Sequence, residues 1–461
     1  MMSHLHLDGA VFSIGRCFIC NQPLLYLQSA AGECYYYHMN SKSLYPRYLY
    51  PRVLEALADS PAVLIHGARQ CGKTTLAQVI GSENGYAYYT FDDDIQLEAA
   101  TADPIGYVRS LPEKVILDEI QRVPRIFTSL KSAIDSGGKP GQFILTGSAN
   151  VLLIPQLADS LAGRMEILCL HPLAQCEIHR SQSSFLDDIF NANFQAHRKS
   201  RSLGSELIDM VTAGGFPAVL KRTTERRRAT WQRNYITTLI QRDIRDLGRI
   251  NHLDVVPRLL EAIAGETATL LNVSNLSAPF QVSRPTIREY INLLNLMFLV
   301  EELPAWHRNH LKRFVKSPKI HFTDTGLVAA ILGVGGDSLI ADRTLYGRMV
   351  ETFILQELKR QASWWDREVS FSHYRDKDKV EVDIVLQSGN KLAGIEVKAG
   401  ATVTRDDFKG LARLRTIDPA AFVAGVVVYD GDAIVPFGEK LFAVPIAELT
   451  GINAEADGNS L

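Results

Sequence analysis

No stretch of this 461-residue chain approaches the ~18 consecutive apolar residues that a membrane-spanning helix requires, so no membrane partner is expected. Charge of one sign is also missing: 49 Lys and Arg stand against 51 Asp and Glu, a net charge of −2. That balance excludes the global basic field of a general polyanion binder. Cysteine is scarce, with six in the chain, which excludes a disulfide scaffold. The start of the sequence has no Lys/Arg cluster ahead of a clean apolar stretch, so no secretory signal is expected and a reducing, cytoplasmic location follows. With 46% hydrophobic and 22% charged residues, the composition is that of a globular protein too long for one ordinary core.

Basic character is local. Arg222, Arg226, Arg227, Arg228 and Arg233, with Arg242 just beyond, form one run, and residues 308–319 form another. Such runs read first as solvated helix faces. Cys71, Cys169 and Cys176 read as free thiols. Cys17, Cys20, Cys34 and His38 have a spacing that would suit a four-ligand zinc site. Two other readings stand beside zinc: a disordered tail, or an upstream extension with Met39 as the working start. The second is favoured, because Tyr45 onward reads as the lead-in to a folded core.

Residues 67–74 are Gly67-Ala68-Arg69-Gln70-Cys71-Gly72-Lys73-Thr74, a complete G-x-x-x-x-G-K-T loop. An apolar run, 62–65, precedes it and a segment with helical spacing, beginning at Thr75, follows. Strand, Gly-rich loop and helix are the context in which this motif cradles phosphate. Backbone N–H groups and the helix N-terminus favour the anion, Lys73 should reach the β- and γ-phosphates, and the Thr74 hydroxyl should ligate Mg²⁺. The expected ligand is ATP. Downstream, Val115-Ile-Leu-Asp118-Glu119 reads as a buried strand ending in two carboxylates. Asp118 would serve the Mg²⁺ shell and Glu119 would polarise the attacking water. The strand 142–146 then runs into Gly147-Ser148-Ala149-Asn150, so Thr146, Ser148 and Asn150 are candidates for a polar sensor of the γ-phosphate. Arg164 could stabilise charge developing there, in cis or in trans, or only form a salt bridge.

Residues 181–205, rich in Ser, Asn and Arg, are expected to be a mobile connection. A helix over 254–264, a short one over 273–276, a third opening at Ser283 with Pro285 in its first turn, and a strand over 298–303 make the pattern of a winged helix-turn-helix. Ile287, Tyr290, Ile291 and Leu294 form the buried stripe of the third helix, and Arg284, Arg288 and Asn292 should face outward, toward DNA or toward a protein surface. Farther on, Asp383 lies on one strand of a hairpin and Glu396 and Lys398 on the other, the last two on one face by alternation. With Glu351 from an upstream helix, these residues could hold a divalent metal for phosphodiester cleavage, Lys398 activating water. The bland alternative is a set of paired charges on an exposed sheet.

Together GARQCGKTT, VILDEIQ, FILTGS, LAGR, GGFP, YITTLIQRDI, KIHFTDTGL, EVDIVL and IEVK resemble a family of prokaryotic AAA-type P-loop ATPases. That family carries a C-terminal domain of unknown function similar to the PD-(D/E)xK restriction-endonuclease fold. The resemblance spans about residues 45–450, and the N-terminal extension departs from it. It implies nucleotide roles for Lys73, Thr74, Asp118 and Glu119 and nuclease-type positions for Glu351, Asp383, Glu396 and Lys398. The expected architecture is a multidomain α/β protein: an extension at 1–44, an ATPase core at 45–180, a helical region at 181–320 with the winged helix at about 250–305, and a nuclease-like α/β domain at 321–461. The expected function is ATP hydrolysis coupled to DNA binding or processing, alone or as a homo-oligomer. The rivals are a nucleotide-controlled scaffold for a protein partner, and a nuclease regulated by ATP.

Overall fold

The computed structural model describes residues 44–148, 163–243, 254–309, 313 and 316–452, together with the backbone of four strands within the first 38 residues. Two units emerge, Met1–Pro46 and Arg47–Leu461. In the first, β1 (Ser3–Leu7), β2 (Ala10–Arg16), β3 (Pro23–Gln28) and β4 (Cys34–His38) follow one another as an antiparallel meander. Cys34 and His38 begin and end β4, whereas Cys17 and Cys20 lie outside the described residues.

The second unit opens with a five-stranded parallel sheet. Its strands are β5 (Ala62–Gly67), β6 (Ala87–Thr90), β7 (Val115–Asp118), β8 (Phe143–Ser148) and β9 (Met165–Cys169), in the order β6-β7-β8-β5-β9. Parallel neighbours require crossovers, and the helices Lys73–Asn84, Asp94–Ala102 and Ile126–Asp135 supply them. Strand periodicity divides the buried side chains between two cores: Val63 and Ile65 pack on one face, Ala62 and Leu64 on the other. Strand β5 is an interior strand, between β8 and β9, and the loop at its C-terminal end lies on the edge of the sheet where open α/β sheets bind ligands.

Residues 181–205 are not a mobile connection. Phe185, Leu186, Ile189 and Phe190 fall at helical spacing on the helix Phe185–Asn191 and are buried, and Asp430 accepts hydrogen bonds from the backbone of Leu203 and Gly204 at 2.6 and 2.9 Å. Polar composition concealed an apolar face four residues wide.

The middle of the chain contains the helices Ser205–Ala213, Glu225–Thr238 and Val255–Gly265, then β10 (Thr269–Leu270), the short helix Val273–Ser277 and the helix Arg284–Leu296. Ser283 caps the last of these by accepting from the Thr286 amide at 3.2 Å. Ile287, Tyr290, Ile291 and Leu294 are buried, while Arg284 and Asn292 are exposed and Arg288 is half-buried. Strand β11 (Val300–Leu303) begins two residues later than the apolar run suggested, because Phe298 turns with φ 55°. It pairs with β12 (Lys319–Phe322), which also pairs with β10, so this sheet straddles residue 320.

Beyond it, the helices Thr325–Leu332 and Arg343–Ala362 lead to a six-stranded mixed sheet. Its strands are β13 (Ser370–Arg375), β14 (Glu381–Ser388), β15 (Lys391–Lys398), β16 (Phe422–Tyr429), β17 (Val435–Gly438) and β18 (Leu441–Pro445), in the order β13-β14-β15-β16-β18-β17. Strands β15, β16 and β18 run parallel, and the helix Lys409–Ile417 makes the crossover from β15 to β16. One continuous core joins Ile65 and Ile144 of the first sheet, Leu294 and Phe322 of the middle and Ile384 and Val426 of the last. Among the described residues no helix is long and apolar enough to cross a membrane.

Candidate functional site

The phosphate loop has the backbone its sequence demands. Gly67 ends β5 at φ 147°, and a Cβ there would meet the carbonyl oxygen of Leu170 at 2.1 Å. Gly72, at φ 109°, turns the chain into the helix Lys73–Asn84, whose first amides point into the loop. Lys73 is buried, and its ammonium donates to the carbonyls of Gly67 at 3.0 Å and Ala68 at 2.8 Å. Both acceptors are neutral, so the positive charge is not cancelled. Thr74, one residue on, donates its hydroxyl to both carboxylate oxygens of Asp118, at 3.0 and 3.1 Å. Thr75 lies exposed on the first helical turn.

Asp118 ends β7 and is the focus of three hydroxyls: Thr74, Thr146 and Tyr88, the last at 2.7 Å. Thr146, fully buried at the end of β8, also accepts from the backbone N–H of Glu119 at 3.4 Å. One hydroxyl thus ties the two acids together. Glu119 itself sits at φ 57°, a left-handed conformation uncommon for non-glycine residues, and Gln121 donates to its carboxylate. Of the three sensor candidates, Thr146 reaches this cluster. Ser148 contributes backbone to β8, and its side chain and Asn150 are outside the described residues.

Arg164 is not brought to the phosphate loop of its own chain. It precedes β9, level with the beginning of β5, and so lies on the order of 20 Å along the sheet from Gly67. There it pairs with the half-exposed Asp135, Nη2 donating to Oδ2 at 3.1 Å. Sequence proximity to a motif does not tell which end of a parallel strand a residue occupies.

Arg47 was not singled out in the sequence. Its guanidinium donates to the carbonyls of Cys71 and His171, each at 2.6 Å, and to Glu177 at 3.1 Å. It clamps the phosphate loop to the segment after β9. Tyr235 adds a second brace, its hydroxyl donating to the Arg69 carbonyl at 3.1 Å. Burial and the nearby Lys73 charge push His66, on β5, down to about 4, so this ring is neutral near pH 7.

From Glu177 a buried polar chain continues to the C-terminal half. Glu177 accepts from the Ala174 amide at 3.0 Å, and the next amide, of Gln175, donates to Glu357 at 2.8 Å. Arg360 donates to Glu357, to the Leu173 carbonyl and to Asp324, at 2.8, 2.9 and 3.1 Å. Asp324 also accepts from the amides of Gly215 and Gly326. This explains two quoted motifs at once: a Cβ on Gly214 of GGFP would stand 1.9 Å from a carboxylate oxygen of Asp324 in KIHFTDTGL.

Six residues before Glu357, on the same helix, Glu351 enters the second cluster. Glu351 and Asp383 do meet, around the ammonium of Lys319: its Nζ lies 2.8 Å from Glu351, 2.7 Å from Glu381 and 3.1 Å from Asp383. Neither Lys319 nor Glu381 was among the expected site residues, although KIHFTDTGL opens on a lysine entering an apolar strand, a costly placement without a counter-charge. Asp383 also accepts from the Val397 amide at 3.0 Å, and Glu381 pairs with Arg375 at 2.7 Å. Glu396 stands beside Lys398 at 3.6 Å, and Lys398 is drawn toward Asp407 at 3.2 Å. Burial, then the Asp383 charge, raises Glu351 to about 8 and Glu396 to about 9. The expected metal ligands are therefore assembled differently from the expectation, and among the described residues no three His, Cys, Asp or Glu are arranged to hold a metal ion.

Comparison with known proteins fits the first cluster. Residues 59–179 match the model of an AAA domain. The stretch that holds the phosphate loop is thus similar in sequence to an AAA domain. Residues 204–338 and 346–449 match two domains of unknown function, DUF8612 and DUF4143. The chain is 27% identical over 402 residues to the uncharacterized protein Rv2008c of Mycobacterium tuberculosis, covering 86% of this chain and 83% of that protein. Among solved structures it is similar to the Walker-type ATPase PABY2304 of Pyrococcus abyssi, at 17% identity and TM-score 0.40, covering 64% of this chain and 99% of the other. It is also similar to the RuvB Holliday junction branch migration motor of Thermotoga maritima, at 20% identity and TM-score 0.27, covering 56% and 90%.

Proposed function

We propose that this chain hydrolyses ATP at the Gly67–Thr74 loop and uses the nucleotide state to change how its middle and C-terminal regions hold DNA. The residues of the loop suit the nucleotide: an uncancelled ammonium on Lys73, free helical amides and a hydroxyl–carboxylate pair in Thr74 and Asp118. Mg²⁺ held by Thr74 and Asp118 would neutralise charge on the β- and γ-phosphates. Glu119 orients and deprotonates the attacking water, with Gln121 and the Thr146-anchored backbone fixing its position. Lys73 draws off the charge that builds on the transferred phosphoryl group. Arg164, set at the far end of the sheet, acts in this reaction only if a neighbouring copy receives it.

The observation that carries the coupling is the largely buried path from the Cys71 carbonyl through Arg47 and Glu177, then by the adjacent amides of Ala174 and Gln175 to Glu357 and Arg360. A shift of the phosphate loop that moves Arg47 moves groups with no water to replace their partners. DNA is the favoured cargo because the helix Arg284–Leu296 presents Arg284 and Asn292 to solvent in a winged-helix order of elements. A cleft of about 760 Å³ beside that helix is lined by Arg288, Arg313, Lys316, Ser274 and Ser317, groups that suit phosphate oxygens, and by the carboxylate of Glu302.

A second reading, a nucleotide-controlled scaffold for a protein partner, draws support from Arg288, which already pairs with Glu302 at 2.5 Å. Phosphate release measured with and without single-stranded, duplex and branched DNA separates the two. Stimulation that falls with salt, and is lost on Arg284→Ala, supports the DNA reading. Hydrolysis indifferent to every DNA would sink it and leave the scaffold.

A further inference from the structure

A divalent ion at the C-terminal acids is what the nuclease resemblance implies, and the side chains present do not fit it. A metal site needs carboxylate oxygens free to converge on one point at 2.0–2.6 Å from a hard cation. Here the point of convergence is occupied by a covalently tethered cation. The Lys319 side chain is 3% exposed, and its Nζ stands 2.7–3.1 Å from one oxygen each of Glu351, Glu381 and Asp383, the spacing of ammonium–carboxylate hydrogen bonds. The remaining oxygens of two of these acids are engaged as well, Glu381 with Arg375 and Asp383 with the Val397 amide. Lys398, the residue expected to activate water, lies nearer to Asp407 than to Glu396.

The lysine has little room to withdraw. Strand β12 is the middle strand of its sheet, paired through Lys319 itself with Leu270 on one side and Leu303 on the other. A +2 ion brought beside a fixed ammonium would meet strong repulsion in this buried setting, and three ready-made contacts to Glu351, Glu381 and Asp383 would have to break first.

We infer that Lys319 is the resident cation of this cluster, and that the C-terminal site admits no divalent metal while Lys319 is in place. The acids Glu351, Glu381 and Asp383 then serve to seat the middle sheet against the C-terminal sheet rather than to cleave a phosphodiester bond. This inference does not depend on what the phosphate loop does or on whether DNA binds.

The test is Mn²⁺ titration of the nucleotide-free full-length chain, read by loss of the free-ion electron paramagnetic resonance signal. The wild type should be indistinguishable from Asp383→Asn. Lys319→Ala should gain one bound Mn²⁺ per chain, and Asp383→Asn in the same chain should remove it. One Mn²⁺ bound by the wild type and lost in Asp383→Asn would overturn the inference. So would a folded Lys319→Ala chain that gains no Mn²⁺, since the lysine would then not be what keeps the ion out. If Lys319→Ala fails to fold, the comparison of wild type with Asp383→Asn decides by itself. Nicking of supercoiled DNA in Mn²⁺ gives a second readout, expected to be equal in those two proteins.

Discussion

Two buried lysines define the two polar centres of this molecule, and they are held in opposite ways. Lys73 rests on two backbone carbonyls, acceptors without net charge. Lys319 rests on three acidic side chains, the carboxylates of Glu381 and Asp383 and the carboxyl of Glu351. An ammonium among neutral dipoles keeps its attraction for an incoming phosphate. One among carboxylates has its field cancelled and becomes a structural joint. Burial of a lysine alone therefore says nothing of function; the charge of its acceptors does.

The comparison breaks most sharply if the lysines are exchanged in effect. Lys73→Ala should lower ATP turnover by about three orders of magnitude, as loss of a preorganised donor to a developing charge does. Its melting temperature should fall far less than that of a variant at Lys319, because hydrogen bonds to two uncharged carbonyls disappear and no charge is stranded. Phosphate release and circular dichroism check the two halves of this expectation.

Lys319→Met should do the reverse. Removing one partner from a buried ion cluster costs about 3–5 kcal/mol, so urea unfolding should shift by that amount while ATP binding per folded chain is retained. Adding Asp383→Asn should restore part of the loss, since it removes one stranded carboxylate. An unchanged urea midpoint in Lys319→Met would remove the contrast between the two sites.

Glu119→Gln sharpens the first site. It should slow hydrolysis by about a hundredfold or more and leave nucleotide affinity intact, because the base and not the phosphate cradle is changed. Normal turnover in that variant would place the base elsewhere.

The smallest effect, counted per pH unit, is in pH. Glu396 rises from 4.5 to about 9 on folding, so between those values the folded chain holds more protons than the unfolded one, and stability falls as pH rises through the window. His66 drops from 6.5 to about 4, so the folded chain holds fewer protons there, and stability falls as pH falls through that range. Each group contributes at most about 1.4 kcal/mol per pH unit. In denaturation midpoints measured from pH 4 to 9, Glu396→Gln should remove the fall in stability between about 4.5 and 9, and His66→Gln the opposing slope between about 4 and 6.5.

The nucleotide loop was legible in the chain because its chemistry is local. Eight successive residues supply the turn glycines, the lysine and the hydroxyl, and the apolar run before them had to be a buried strand. Asp118 was legible for the same reason, being the end of a strand that is buried on both faces, with Glu119 the residue that follows it. The helix at Ser283 declared itself by cap, proline and apolar stripe. Residues 181–205 misled because composition averages over a helix that is apolar on one side only.

What the sequence by itself determined is the set of short-range devices: the phosphate loop, its acidic strand, the helix caps and the hairpin that carries Asp383, Glu396 and Lys398. These depend on neighbours a few residues apart, where backbone geometry leaves little choice. The tertiary structure alone decided the partners. Arg47 meets Cys71 and Glu177, Arg360 meets Asp324 and Leu173, and Lys319 meets Glu351, Glu381 and Asp383 across separations of 24–187 residues. Such pairings follow from how the sheets pack into one core, and a charged side chain at a strand end carries no local mark of the charge it will face.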